Sequence, residues 1–224
     1  MEKEFNLPLK LENYFNLIKE AILRYKDFSQ IKNKKKIYFN ITNFVLTKIY
    51  DKIFPKEPEF EDIKILHNSV RLSWIEPNVL LGKNNYNFDN FLPETKDLLV
   101  KLENGKSPLQ KINCLNEIFK KITNIIQFNN QNDEFIGVDD SLPIFQYAVI
   151  KAQPIRLFSN YKYLNMYMNK ELRNGPNDQL VSQFYVVGEF IKNVTYENFY
   201  GISKEQFNRN CTEAINNDML SYIK

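Results

Sequence analysis

Two carboxylates side by side, Asp139 and Asp140, are the residues whose type and placement most invite chemistry. They lie in Gly137-Val138-Asp139-Asp140-Ser141-Leu142-Pro143, at the head of an apolar run of Leu142, Ile144, Phe145, Tyr147, Ala148, Val149 and Ile150. Acidic side chains are favoured where a helix begins, because unpaired N–H groups point outward there and the dipole is positive. Pro143 suits a first turn, where its missing N–H sacrifices no intrahelical bond. The stretch therefore predicts a capped core helix or a negative tip carried on a buried, rigid one, and spacing leaves both open. A glycosidase-type pair needs two carboxylates facing one substrate, which adjacency in sequence does not establish. The single histidine, His67, falls on a helical pattern and reads as a packed or surface residue. No Ser/His/Asp or Cys/His set with a base and an orienter can be assembled from it. No Gly-rich loop is present to cradle a phosphate. Cys114 and Cys211 lie in helical patterns, with neither a metal spacing nor a disulfide framework. Neither a metal nor a cofactor is implied.

The elements that must position the acidic stretch read as helices. Leu11, Tyr14, Phe15, Ile18, Ile22 and Tyr25 follow the helical period, as do Ile37, Ile41, Phe44, Val45 and Ile49. The basic run Lys32-Asn33-Lys34-Lys35-Lys36 joins them, predicting an antiparallel hairpin with a solvated turn, or a run that touches anionic lipid. Pro55 and Pro58 mark a boundary. A third helix over 60–70 places Ile63, Leu66 and Val70 on one face. Trp74 then sits before the break at Pro77 as a core anchor. Residues 80–90 read as loop. Pro93 opens a helix with Leu98, Leu99 and Leu102, ended by Gly105. Ser107-Pro108 starts a long helix whose wide stripe runs through Ile112, Leu115, Ile118, Phe119, Ile122, Ile125 and Ile126. An Asn-rich loop over 128–134 delivers the chain to Asp139. Beyond Pro154 a helix carries Leu157, Tyr161, Leu164 and Met168. Residues 174–177 form a turn, Asp178 caps a helix with Leu180, Val181, Phe184, Tyr185, Val187 and Ile191, and Ser203 with Gln206 opens the last.

This pattern predicts an all-α, layered helical fold. Only 6 Gly and 9 Pro in 224 residues argue against an all-β architecture. A balance of 30 basic against 27 acidic residues gives no footing for a nucleic-acid partner. No charged-then-apolar leader opens the chain and no apolar run spans a bilayer, so the expected place is the cytosol. The sequons at Asn40, Asn193 and Asn210 are chance matches on that view.

Several motifs in one order resemble the VPS9 domain family. The acidic stretch is followed by Tyr147, Ala152, Pro154, then Leu157-Phe158-Ser159-Asn160 and Tyr163. Trp74-Ile75-Glu76-Pro77 with Leu80, Ser107-Pro108 with Lys111, Ile112 and Cys114, and Gly188-Glu189-Phe190-Ile191 fall in the family's places. The resemblance runs from Asp62 to Asn193. It implies a layered VPS9-type domain over 59–195, preceded by a helical bundle segment over 1–58 and followed by a packing helix over 196–224. It further implies a guanine-nucleotide exchange factor for a Rab5-subgroup GTPase, met in its GDP or nucleotide-free form. Membrane contact would be peripheral, with recruitment to early endosomes. Asp139 would be the catalytic carboxylate, with GTPase contacts at Asp140, Pro143, Tyr147, Gln179, Ser182 and Gln183. The family carries a tyrosine and a threonine where this chain has Gln179 and Ser182. That departure keeps open a non-catalytic, Rab-binding or scaffolding module on the same fold.

Overall fold

A computed structural model describes residues 6–25, 34–82, 86–129 and 137–221, except the side chains of Lys35, Asn129, Val138 and 219–221. Lys32 and Asn33 of the basic run, and residues 130–134 of the Asn-rich loop, lie outside these. Among the described residues ten α-helices follow one another: α1 Leu7–Arg24, α2 Lys34–Ile53, α3 Phe60–Arg71, α4 Pro77–Leu81, α5 Phe91–Asn104, α6 Pro108–Asn129, α7 Val138–Ala152, α8 Leu157–Tyr167, α9 Gly175–Asn193 and α10 Lys204–Ser221. A 3-10 turn, Tyr196–Asn198, precedes α10. No strand occurs among the described residues. The fold is all-α, as the periodicity predicts.

The order of layers follows from which stripe each helix buries. On α6, Ile112, Leu115, Ile118, Ile122 and Ile126 are wholly enclosed. Such a wide stripe needs several neighbours, and α6 packs on α5, α7, α8 and α9. Its start is fixed by Ser107, whose Oγ accepts from the Gln110 N–H at 3.3 Å. Next to it, α7 buries Ile144, Phe145, Tyr147, Ala148, Val149 and Ile150. The Phe145 ring lies edge-on to Phe119 of α6 at 4.9 Å and stacks on Phe184 of α9 at 6.2 Å. Thus α7 is held rigidly between two helices. Trp74 packs partly buried against Phe199 and Phe207, anchoring α10 to the main body.

Several local expectations are corrected. On α3 the buried face is Asp62, Ile65, Asn68 and Ser69, not Ile63, Leu66 and Val70. Polar groups can occupy a core when their partners are there. Asp62 accepts from the Ser159 N–H at 2.9 Å, from the Ser159 hydroxyl, and from the Glu59 N–H at 3.0 Å. Asn68 Nδ2 donates to the Ile191 carbonyl at 2.9 Å. Ile63 is left 56 % exposed, on a surface groove shared with Val100, Ile155 and Ile215. On α2 the buried face is Tyr38, Thr42, Leu46 and Tyr50, while Phe44 is exposed. Leu80 and Leu81 belong to α4, where Pro77 opens a turn that the left-handed Gly82 closes. Residue 128 continues α6. Asn174, not Asp178, caps α9: its Oδ1 accepts from the Asn177 N–H at 3.0 Å, so 174–177 is the cap and first turn of that helix.

Candidate functional site

The acidic stretch forms the first turn of α7. Gly137 is its cap residue, and the Asp140 carboxylate reaches back to accept from the Gly137 N–H at 2.9 Å. One orphan donor of the helix end is thereby satisfied, three residues from the carboxylate that satisfies it. Asp139 takes no such role. It is exposed and makes no hydrogen bond or ion pair with any described residue. Two neighbouring carboxylates thus differ in their engagement: one is spent on the helix end and the other stands in water at its positive pole.

Pro143 sits in the second turn, because α7 begins at Val138. The expectation that it sacrifices no intrahelical bond is therefore corrected. Its missing N–H deprives the carbonyl of Asp139, four residues back, of a helical partner, and its ring crowds that carbonyl. The proline shapes the backbone that carries Asp139. Leu142 and Pro143, three and four residues beyond Asp139, are its neighbours on the helix surface and are half-buried. They give the charged tip an apolar flank.

On α9, which packs on α7, Gln179 and Ser182 are both exposed. The Ser182 hydroxyl donates to the Asp178 carbonyl at 2.9 Å, turned onto its own helix. Val186 is exposed and Phe190 half-buried further along. Tyr147 and Gln183 were expected on a contact face, but they are only 3 % and 6 % exposed. The Tyr147 ring packs on Phe88 at 5.0 Å, with the Lys151 ammonium 5.4 Å over it. Burial pushes its hydroxyl up to about 12. Their places follow from helix geometry: four residues beyond Pro143, the same face has already passed beneath neighbouring helices. Asp139, Asp140, Gln179 and Ser182 are exposed and Pro143 is half-buried, whereas Tyr147 and Gln183 are buried.

A buried carboxylate and a buried lysine tie other helices of the body together, and the periodicity singled out neither. Asp62 fastens α3 to the start of α8. Lys111 fastens α6 to α5 and α8, through the Leu102 carbonyl and Asn160 Oδ1. The signal that could have found them is a charged residue on an otherwise apolar stripe, which a folded chain tolerates only when partners are supplied. Among the described residues, no group of three or more His, Cys, Asp and Glu side chains could hold a metal ion. No helix among them is long and apolar enough to cross a membrane.

Residues 92–196 match the family model of the Vacuolar sorting protein 9 (VPS9) domain. That stretch is similar to the VPS9 domain family. The matched part runs from α5 to the 3-10 turn and includes both the Asp139 tip and α9. The chain is similar to the Rab5 GDP/GTP exchange factor of Homo sapiens, 27% identical over 186 residues, covering 78% of this chain and 36% of that protein. It is similar to the Vacuolar protein sorting-associated protein 9A of Arabidopsis thaliana, 25% identical over 180 residues, covering 78% of this chain and 34% of that protein. The Vacuolar protein sorting-associated protein vps901 of Schizosaccharomyces pombe is 23% identical over 234 residues, covering 94% of this chain and 39% of its own length. The chain thus spans little more than a third of these relatives. The matched part is embedded in further helices. Ile65 of α3 and Leu80 of α4 enter the same core as Ile144 and Val187 within the matched part.

Proposed function

We propose that this chain is a guanine-nucleotide exchange factor that promotes GDP release from a Rab5-subgroup GTPase. The exchange unit would span 59–195, because α3 shares one core with α8 and α9. Residues 1–58 would be a helical segment before it, and 196–224 a helix packed on it. The observation that carries the reading is the division of labour at the tip of α7. Asp140 caps the helix, and Asp139 stands exposed beside it.

A GTPase holds GDP largely through its phosphates, by a lysine, a nest of backbone N–H groups and Mg²⁺. If that affinity is picomolar, the binding amounts to ~16 kcal/mol. An exchange factor must therefore bind the nucleotide-free state better than the loaded one. A carboxylate on a rigid arm does so twice over. It pairs with the lysine in place of a phosphate, and it repels the phosphates that remain. Asp139 would be that group, and Pro143 would set its backbone. Leu142, Pro143 and Val186 would take apolar side chains of the GTPase, with Gln179 and Ser182 as polar contacts. Tyr147 and Gln183 would support this surface from below. The factor opens the site without choosing a direction, and cellular GTP refills it. The place of action would be the cytoplasmic face of early endosomes, reached by peripheral recruitment.

A second reading is a Rab-binding scaffold without exchange activity. Gln179 favours it, standing where the family has a tyrosine. A glutamine keeps a hydrogen-bonding group and loses the aromatic contact area. Release of fluorescent GDP from a panel of small GTPases separates the two. The exchange reading expects accelerated release from a Rab5-subgroup member, lost in Asp139→Ala with unchanged helical content. Binding of the nucleotide-free GTPase without any acceleration supports the scaffold instead.

A further inference from the structure

The N-terminal hairpin has a core of its own. Phe15, Ile22, Tyr38 and Leu46 form a cluster separate from the main one. The Lys34 ammonium reaches the Leu23 carbonyl at 3.4 Å, so the two helices run antiparallel. A third, small cluster lies where the last turns of α2 meet the body: Tyr50, Phe54 and Tyr163. Lys111 enters this cluster from α6 and is 0 % exposed. Its ammonium donates to the Leu102 carbonyl at 2.9 Å, to Asn160 Oδ1, and to the Tyr50 hydroxyl at 3.3 Å. The rings of Phe54, Tyr50 and Tyr163 stand 5.1, 5.2 and 5.6 Å away, within reach of a cation–π attraction. Four helices converge on this one group. The Leu102 carbonyl lies in the last turn of α5, at the negative pole of that helix. Beside the box, the Arg156 guanidinium holds the carbonyls of Pro55 and Lys56, fixing the chain that leaves α2.

Along α1 the attachment is of a different kind. A cleft of about 380 Å³ separates α1 from the segment 165–173. It is spanned by the ion pairs Lys19–Glu171 at 2.6 Å and Glu12–Lys170 at 3.5 Å. Tyr167 and a hydrogen bond from Asn169 to Thr42 at 3.1 Å complete the contact. Ion pairs open to water are weak and screened by salt.

We propose that the hairpin is a hinged arm. The Lys111 box pins it at the last turns of α2, and the two ion pairs are a salt-sensitive clasp along α1. When the clasp opens, the arm swings about the box and uncovers Phe15, Tyr38 and Met168 in the cleft. The exchange layer stays folded, because the hairpin adds only the partly buried Phe39 to its core.

Backbone amide exchange on the full chain, read by mass spectrometry, tests this. On raising NaCl from about 0.05 to about 0.5 M, where screening is several-fold stronger, peptides of α1 should exchange faster while those of α6, α7 and α9 do not. In Lys111→Met, peptides of both α1 and α2 should exchange on the order of 10-fold faster, a separate sub-global opening, with α7 and α9 unchanged. Should Lys111→Met not fold, Phe54→Leu removes one wall of the box from α2 and must give the same split. Equal loss of protection throughout the chain, or none in the hairpin, would overturn the proposal. So would the last turns of α2 opening before α1 on adding salt.

Discussion

Asp139 and Asp140 are chemically identical neighbours with different surroundings. The reach of Asp140 to the Gly137 N–H makes it a structural group. Removing such a cap destabilises a protein by about 1 kcal/mol. Asp140→Ala should therefore lower the thermal midpoint by a few degrees, roughly as expected for a domain of this size, yet still release GDP in its folded state. A loss of release beyond the folded fraction would place Asp140 in the chemistry. The acidic pair was legible in the sequence because acids before an apolar run announce a helix start. Which of the two caps was not legible from spacing alone, since that depends on where the first helical residue falls. The same uncertainty misplaced Pro143 by one turn. Asp62 and Lys111 were illegible for another reason: their partners, Ser159 and Asn160, lie far along the chain.

At the scale of elements, α7 is the part on which the reading rests. Its apolar run was plain in the sequence, and so were the stripe of α6 and the break at Pro55 and Pro58. Less legible was which face of α3 turns inward, because that face is largely polar, and Asp62 and Asn68 meet their distant partners only in the folded molecule. Tyr147 and Gln183 went to the wrong side of the surface for a related reason. A helical period fixes the angle around the axis, but not how far along it the neighbours extend. The far end of α7 carries a strain of its own. Gln153 is held in the left-handed region, at φ 53 and ψ 55, to turn the chain toward α8. A residue with a Cβ resists that conformation by about 1 kcal/mol, and glycine does not. Gln153→Gly should raise the denaturant midpoint, by an amount corresponding to about 0.5–1 kcal/mol. An unchanged or lower midpoint would mean that the glutamine side chain contributes more than its backbone costs.

For the whole molecule, buried ionisable groups set the pH dependence of stability. Burial lowers the Lys111 ammonium to about 7, outweighing the opposing pull of Glu103. An unfolded lysine titrates near ~10.4. Between these values the unfolded chain holds a proton that the folded one lacks, so this group adds stability as pH rises. Tyrosines act in the opposite sense at higher pH. Burial raises Tyr147 to about 12, and it raises Tyr50 and Tyr163 as well. Above ~10 the unfolded state sheds phenolic protons first, and stability falls. The urea midpoint should therefore climb from about pH 7 to about pH 9.5 and drop beyond about pH 10.5. Lys111→Met should reduce the climb to the part left by Lys151, whose ammonium burial also lowers, and leave the drop. A climb unchanged in that variant would assign it to another group.

The most direct test of the central claim removes the charge of residue 139 and nothing else. Asp139→Asn keeps the size and shape of the side chain while losing its anion. Release of fluorescent GDP from the responsive Rab5-subgroup GTPase should slow on the order of 100-fold or more, as expected when one partner of a desolvated charge pair is lost. Thermal stability should stay at the wild-type value. Release by Asp139→Asn at the wild-type rate would contradict the account, because the exposed carboxylate would then have no part in opening the phosphate site.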